Sequence, residues 1–146
     1  MDNMTRTDYT FIAPFRVRYA ETDAQGIVFY GNYLIYIDTT IYDYIRSLPF
    51  DINEHVERTG ADFHVVHVSL DYLDSVGFDA VIYTGLRIKR IGRSSIVFEV
   101  NIFSEKIDTT LVKSEVVWAY VDQTTQKSLP LPDDFLKKIK EKEPAP

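Results

Sequence analysis

The chain has 146 residues, 45% hydrophobic and 26% charged, with 16 Lys and Arg against 22 Asp and Glu; that size and mix fit one globular domain spanning residues 1–146, not a disordered or fibrous chain. The absence of Cys excludes disulfides, thiolate nucleophiles and Cys-based zinc sites, and the net charge of -6 argues against a nucleic-acid partner for the chain as a whole. No apolar run approaches the roughly 18 residues that a membrane-spanning helix needs, so no span is expected.

Residues 1–10 are polar and without period. They read as a flexible terminus and lack the apolar core of a signal peptide, so a cytoplasmic protein is expected. From Phe11 the pattern changes: Phe15, Val17 and Tyr19 alternate with Arg16 and Arg18, the signature of a half-buried strand, and Pro14 puts that strand at an edge. A turn over Glu21 to Gly26 follows, with Glu21 expected to be solvated.

From Asn32 to Leu48, Leu34, Ile37, Ile41, Ile45 and Leu48 recur at helical spacing, while Tyr33, Ile35, Tyr36, Tyr42 and Tyr44 make the remaining surface apolar too. Such a helix is expected to be buried nearly all round. Pro49 stops it, and a short second helix is expected from a cap at Asp51 to Arg58, ended by Gly60.

After Gly60 the period becomes two. Val66, Val68, Leu70 and Tyr72 alternate with Val65, His67, Ser69 and Asp71, which places His64 and His67 on opposite faces of one strand. A second strand carries Ile82, Thr84, Leu86 and Ile88. A third has Ile96, Phe98, Val100 and Ile102 on one face and Val97, Glu99 and Asn101 on the other. The fourth, from Thr110 to Val121, holds Val112, Val116, Trp118 and Tyr120 on one face; the run Val116-Val117-Trp118 is apolar on both faces, which points to cover on both sides by a partner subunit. Pro130 and Pro132 end the sheet, and residues 133–142 read as a C-terminal helix with Phe135, Leu136 and Ile139 inward. A helix apolar on all sides has to be surrounded. With four or five antiparallel strands available, the predicted architecture is an α+β fold in which the sheet wraps one central helix.

The chemistry is expected between Arg18 and Tyr33. Asp23 stands where the chain turns, and the helix that follows begins with backbone N–H groups that have no intrahelical acceptor. A carboxylate beside such donors suits acyl transfer. The competing reading is an Asx turn at Thr-Asp-Ala-Gln-Gly. Gly26 is expected to serve a turn of positive φ, and Asn32 to cap the helix or touch substrate.

The run Tyr19-Ala-Glu-Thr-Asp23-Ala-Gln-Gly26-Ile-Val-Phe-Tyr30-Gly-Asn32-Tyr33, with the later Ile-Gly-Arg-Ser-Ser turn, resembles the 4-hydroxybenzoyl-CoA thioesterase family of hot-dog-fold acyl-CoA thioesterases. The likeness extends from about Phe15 to Pro132. It implies a hot-dog fold, a five-stranded antiparallel sheet around a long central helix, and hydrolysis of an acyl-CoA to a free acid and coenzyme A. It implies Asp23 as the catalytic carboxylate, nucleophile or general base, and the Tyr30 N–H as the donor to the thioester oxygen. Some relatives carry a catalytic His at that place, where this chain has Tyr30. Tyr19 falls where such relatives have a Tyr near the site. Relatives form dimers at least and often tetramers, with sites shared between subunits, and use no metal or redox cofactor.

Arg87, Lys89, Arg90 and Arg93 lie within seven residues, beside Ser94, in an otherwise acidic chain. Their ordinary role is a solvated strand edge. Their concentration also fits a phosphate site, which the resemblance would assign to coenzyme A, with Lys89, Arg90, Arg93 and Ser94 as the binding residues. By strict alternation Arg87 and Lys89 share a face and Arg90 points the other way. Asp38 lies on or beside the apolar stripe of the helix, where a carboxylate is either paired or catalytic; a structural role is expected. His55, His64 and His67 show no metal-ligand spacing and are read as structural. Tyr36, Phe63, Tyr72 and Phe78 are candidates for an acyl pocket, each with a core role as the simpler reading. A carrier-protein thioesterase and a non-catalytic acyl-CoA-binding domain are the competing functions.

Overall fold

The computed structural model describes residues 5–106 and 109–143. Strand β1 (Phe11–Arg16) leads through short helical turns to the long helix α1 (Tyr33–Ser47) and a second helix α2 (Ile52–Thr59). Strands β2 (Ala61–Tyr72), β3 (Val81–Ile91), β4 (Ser95–Ser104) and β5 (Thr110–Asp122) follow, and helix α3 (Asp133–Lys142) comes last. The five strands form one antiparallel sheet in the order β1-β3-β4-β5-β2. This is the expected α+β arrangement, and Pro14 sits on an edge strand, where its missing N–H breaks no central ladder.

The inner face of the sheet and one side of α1 make the core. Ile37, Ile41 and Ile45 pack at no more than 1% exposure against Ile82, Leu86, Ile96, Phe98, Val100, Ile102 and Trp118. Each such side chain removed from water is worth about 1.5–3 kcal/mol. Helix α2 begins and ends as its residues require: the Asp51 carboxylate accepts from Glu54 N–H, and Gly60 takes φ 72 at the C-cap. Helix α3 docks Phe135 and Ile139, with the Phe135 ring 5.1 Å from Phe50 and 5.0 Å from Phe63.

Helix α1 departs from the expectation. It is not buried all round: Leu34 (42%), Ile35 (53%) and Tyr42 (37%) stay exposed on one stripe, and Asp38 lies among them. The sheet covers one side of the helix only. Strand β1 also ends early, at Arg16, so Tyr19 does not share the buried face of Phe15 and Val17 but stands 76% exposed in a 3-10 turn, Tyr19–Glu21.

Two β-bulges overturn face assignments made by strict alternation. The register of β2 against β5 shifts between Val65 and His67, leaving Val66 as the extra residue. His64 is opposite Ala119 and His67 opposite Val117, so both histidines lie on the outer face. A second shift lies between Ile88 and Arg90. Arg90 pairs with Val97 and Arg87 with Glu99, which share a face of β4, so Arg90 is on the same side as Arg87. A strict period of two carries no signal for an inserted residue.

The N-terminal segment is not a loose end from Thr5 onward; residues 1–4 lie outside the described residues. Tyr9 is 7% exposed, its hydroxyl accepts from Asn101 Nδ2 at 2.7 Å, and its ring lies over Gly85. A Cβ at Gly85 would stand 2.6 Å from the Tyr9 ring, so the close approach needs glycine. On the same outer face Val97 is buried and Val117 half-buried. Gly85→Ala is therefore expected to push Tyr9 off the sheet and destabilise the fold by about 1–3 kcal/mol, read as a lower urea midpoint together with higher Tyr fluorescence accessibility to quencher.

Candidate active site

The stretch from Arg18 to Tyr33 folds into a small clasp at the start of α1. Residues Thr22 and Val28 bridge, Asp23 N–H donates to Ile27 O at 2.9 Å, and Gly26 N–H to Asp23 O at 2.9 Å. Gly26 closes that turn at φ 78, the positive value expected of it. A second glycine secures it from behind: Ile27 bridges to Gly77, where an added Cβ would lie 2.7 Å from Gly26 O.

Asp23 sits half-buried in this turn, and its Oδ1 accepts from Gln25 N–H at 2.8 Å. The Asx turn is thus formed through Oδ1. The chain then enters a 3-10 turn, Tyr30–Asn32, that runs directly into α1. Phe29 O accepts from Asn32 N–H at 2.8 Å, whereas the N–H groups of Tyr30 and Gly31, first in the helical run, find no acceptor among the described residues. The site therefore presents a half-exposed carboxylate and, seven residues on, two unspent backbone donors at the positive end of a 15-residue helix.

What holds these parts together is Glu21, which is 6% exposed and not solvated as its sequence context suggests. Its carboxylate accepts from Arg18 N–H at 2.8 Å, from the Arg18 guanidinium at 3.0 Å and from the Tyr36 hydroxyl at 2.7 Å. Its backbone oxygen accepts from Phe29 N–H at 3.0 Å and from Asn32 Nδ2 at 2.8 Å. Asn32 is the residue before α1, yet its side chain makes no capping bond; it ties the clasp to the helix instead. Burial pushes the Glu21 carboxyl up, but the Arg18 N–H, the Tyr36 hydroxyl and the Arg18 guanidinium outweigh it and hold the group below its ordinary 4.5. The sequence signal was there to find: Arg18 stands three residues before Glu21, a spacing that pairs charges within one turn.

The other predicted residues scatter. Tyr19 is exposed with its ring edge-on to Phe78 at 5.8 Å. Of the candidate pocket aromatics, Tyr36 is in the core and Phe63 packs on it, but Tyr72 (49%) and Phe78 (59%) are exposed on either flank of the clasp. Asp38 finds no ion-pair partner among the described residues; burial by its neighbours pushes its carboxyl up. His55 is buried, with Nε2 2.6 Å from the Tyr120 hydroxyl. Among the described residues no group of His, Asp and Glu is placed to hold a metal ion, and no helix is long and apolar enough to cross a membrane.

The basic segment is far from Asp23 within one chain. The clasp meets the chain at Gly77, ahead of β3, while Arg90 to Ser94 lie at the opposite end of that 11-residue strand, roughly 30 Å away at 3.3 Å per residue. Arg87 pairs with Glu99 and Lys89 with Glu115, so two of the four cations already have carboxylates. Arg93 and Ser94 spend their backbone oxygens on Leu131 N–H and Tyr120 N–H, each at 2.8 Å. An open cleft of about 790 Å³ lies at the other end of α1, between Tyr42, Arg46, Phe50 and Asp62, away from the clasp.

Replacing Glu21 by Gln keeps the shape and removes the charge. The folded-state carboxyl is held below its ordinary value, so the stability it contributes is present above about pH 4.5 and lost as pH falls through the folded value. Glu21→Gln is expected to cost about 1–3 kcal/mol at pH 7, with the gap to the wild type closing as unfolding is measured below pH 4.5.

The comparisons with known proteins agree with this architecture. The chain is similar to the acyl-CoA thioesterase YbgC of Haemophilus influenzae, 27% identical over 127 residues, covering 87% of this chain and 92% of that one. Two crystal structures match in fold: a 1,4-dihydroxy-2-naphthoyl-CoA thioesterase from Synechocystis, with TM-score 0.84, 17% identity and coverage of 90% of this chain and 96% of that one; and a 4-hydroxybenzoyl CoA thioesterase complexed with 4-hydroxybenzoyl CoA, with TM-score 0.81, 15% identity and coverage of 88% and 96%. The family model of the thioesterase superfamily matches residues 25–111, from just after Asp23 through α1 and the first three strands that follow it. The five-stranded antiparallel sheet, the long helix packed on it and this match together place the chain in the thioesterase superfamily.

Proposed function

We propose that the protein hydrolyses an acyl-CoA thioester to a free acid and coenzyme A. The observation that carries this reading is the clasp, whose turn holds the half-exposed Asp23 carboxylate and whose chain, seven residues on, enters α1 with the Tyr30 and Gly31 N–H groups unspent. Its similarity to the acyl-CoA thioesterase of Haemophilus influenzae supports the same substrate class. In the proposed step the thioester oxygen lies against the Tyr30 N–H, where negative charge develops as the carbonyl becomes tetrahedral. Asp23 either attacks the carbonyl carbon directly or takes a proton from a water that does so. Collapse then breaks the C–S bond, and coenzyme A leaves as the thiol after taking up a proton; where water attacked, the acyl group leaves as the free acid, and where Asp23 attacked, water then cleaves the acyl–Asp23 anhydride to the free acid and restores the carboxylate. Gly26 shapes the turn, Asn32 ties it down, and Tyr19 borders it.

A second subunit is part of the proposal. Besides the exposed stripe of α1, the free edge of β2 has Val65 (53%) and Val66 (59%) in solvent. An unpaired strand edge beside an apolar helix face is a surface for self-association, as a homodimer or a homotetramer built from it. The cations Lys89, Arg90 and Arg93, with Ser94, would then grip the phosphates of coenzyme A bound at the partner's clasp, since within one chain they stand too far from Asp23. Arg90 and Arg93 are the stronger candidates because Lys89 is paired with Glu115.

Release of free thiol from a panel of acyl-CoAs tests the reading, and the lack of Cys keeps the background clean. Asp23→Asn is expected to lower kcat at least about a hundredfold with little change in KM; full turnover in that variant would sink the mechanism. Turnover faster on the carrier-protein form of the same acyl chain would move the substrate to acyl carrier protein, and no turnover on any thioester would leave an acyl-CoA-binding domain. A double substitution of Arg90 and Arg93 by Ala is expected to raise KM for acyl-CoA about fivefold or more, at constant kcat, with a weaker dependence of KM on salt.

A further inference from the structure

One tyrosine outside the clasp, on the opposite edge of the sheet, makes a bond to its backbone. The Tyr72 hydroxyl, near the end of β2, donates to the Tyr30 carbonyl oxygen at 3.1 Å. Its ring is held for that task, edge-on to Tyr30 at 6.4 Å and tilted against the buried Tyr33 at 5.8 Å. The Tyr30 carbonyl and the Gly31 N–H belong to one rigid peptide plane. Whatever fixes that carbonyl also fixes the direction of that N–H, and a hydrogen bond accepted at the oxygen polarises the N–H across the plane. The neighbouring plane is treated alike, because Phe29 O accepts from Asn32 N–H, and that plane carries the Tyr30 N–H. Both unspent donors therefore sit on peptides whose carbonyls are engaged. Glycine at 31 adds to this, since a Cβ there would meet the Phe29 ring at 2.9 Å and crowd the same peptide.

We propose that Tyr72 is a positioning residue for thioester hydrolysis: through the Tyr30 carbonyl it aims the Gly31 N–H, which serves as a second donor to the thioester oxygen beside the Tyr30 N–H. This rests on the acyl-CoA thioesterase reading above. Tyr72 does not touch the reacting atoms and holds no proton in the step; it adds a side-chain hydrogen bond to a carbonyl in the 3-10 turn that opens the helix. An interaction of this kind lowers the barrier without adding to ground-state affinity, because it acts where charge appears.

The test is Tyr72→Phe, which keeps the ring contacts with Tyr30 and Tyr33 and removes the hydroxyl alone. Acetyl-, hexanoyl-, palmitoyl- and benzoyl-CoA are screened with the wild type, and the fastest is carried forward. The expected result is a fall in kcat of about three- to tenfold, KM within twofold and an unchanged melting temperature. In the same variant the Gly31 amide proton is expected to move upfield in the ¹⁵N–¹H spectrum, reporting lost polarisation of its own peptide. An unchanged kcat with wild-type turnover intact, an effect on KM alone, or a Gly31 amide that does not move would each overturn the role of Tyr72 while leaving the hydrolase standing. If the wild type releases no thiol from any of the four probes, the thioesterase reading fails and the positioning role fails with it.

Discussion

The buried carboxylate of Glu21 is the contact on which the site depends. It lies two residues before Asp23 and reaches the second turn of α1 through Tyr36, while its backbone oxygen holds Phe29 and Asn32. One residue thus connects Arg18, the end of the carboxylate turn at Phe29 and the helix start. A buried carboxylate left short of donors would be costly, and this one is tolerated because Arg18 and Tyr36 satisfy it. The helix start is therefore tied to the stretch that carries Asp23 by a small polar network inside the fold and not by the exposed turn alone.

That network explains why the turn is shaped from two sides. Gly26 gives the positive φ, and Gly77 lets the chain ahead of β3 lie against it without a side chain between. Tyr72 reaches the same region from β2, an edge strand placed at the far side of the sheet from β1. The clasp is thereby tied to α1 by Glu21, to the segment ahead of β3 by Gly77 and to β2 by Tyr72. A catalytic geometry supported from several elements is held more tightly than one resting on a loop alone.

Much of this fold was legible in the residues. Apolar spacing at Ile37, Ile41 and Ile45 marks α1, Asp51 and Gly60 bracket α2, and alternation marks the four later strands. The misses have physical reasons. A bulge inserts one residue without altering composition, so alternation assigned His67 and Arg90 to the wrong faces. Tyr9 looked free because the residue that receives it, Gly85, lies 76 positions on in a strand with no local sign of the contact. Glu21 looked solvated because its satisfying partner Tyr36 is a full element away. Sequence periodicity reports which side of an element is apolar; it does not report a polar group whose partners are supplied from elsewhere in the fold.

The apolar surround of α1 is the most instructive of these cases, because the pattern was right and its explanation within one chain was not. The stripe of Leu34, Ile35 and Tyr42 has the composition of a buried face, yet the sheet covers the other side. Asp38 stands in that stripe with its carboxyl pushed up by burial and without an ion-pair partner among the described residues. Burying it further without a partner would add to that cost, so whatever covers the stripe has to bring a donor to Asp38 or leave it at a wet margin. A second copy meeting the β2 edge at Val65 and Val66 would extend the sheet and seal the helix together. It would also bring a distant basic turn toward a clasp whose one cation, Arg18, is paired with Glu21. The apolar helix face, the open strand edge and the distance from Asp23 to Arg93 each fit the proposal that the site is completed by another subunit.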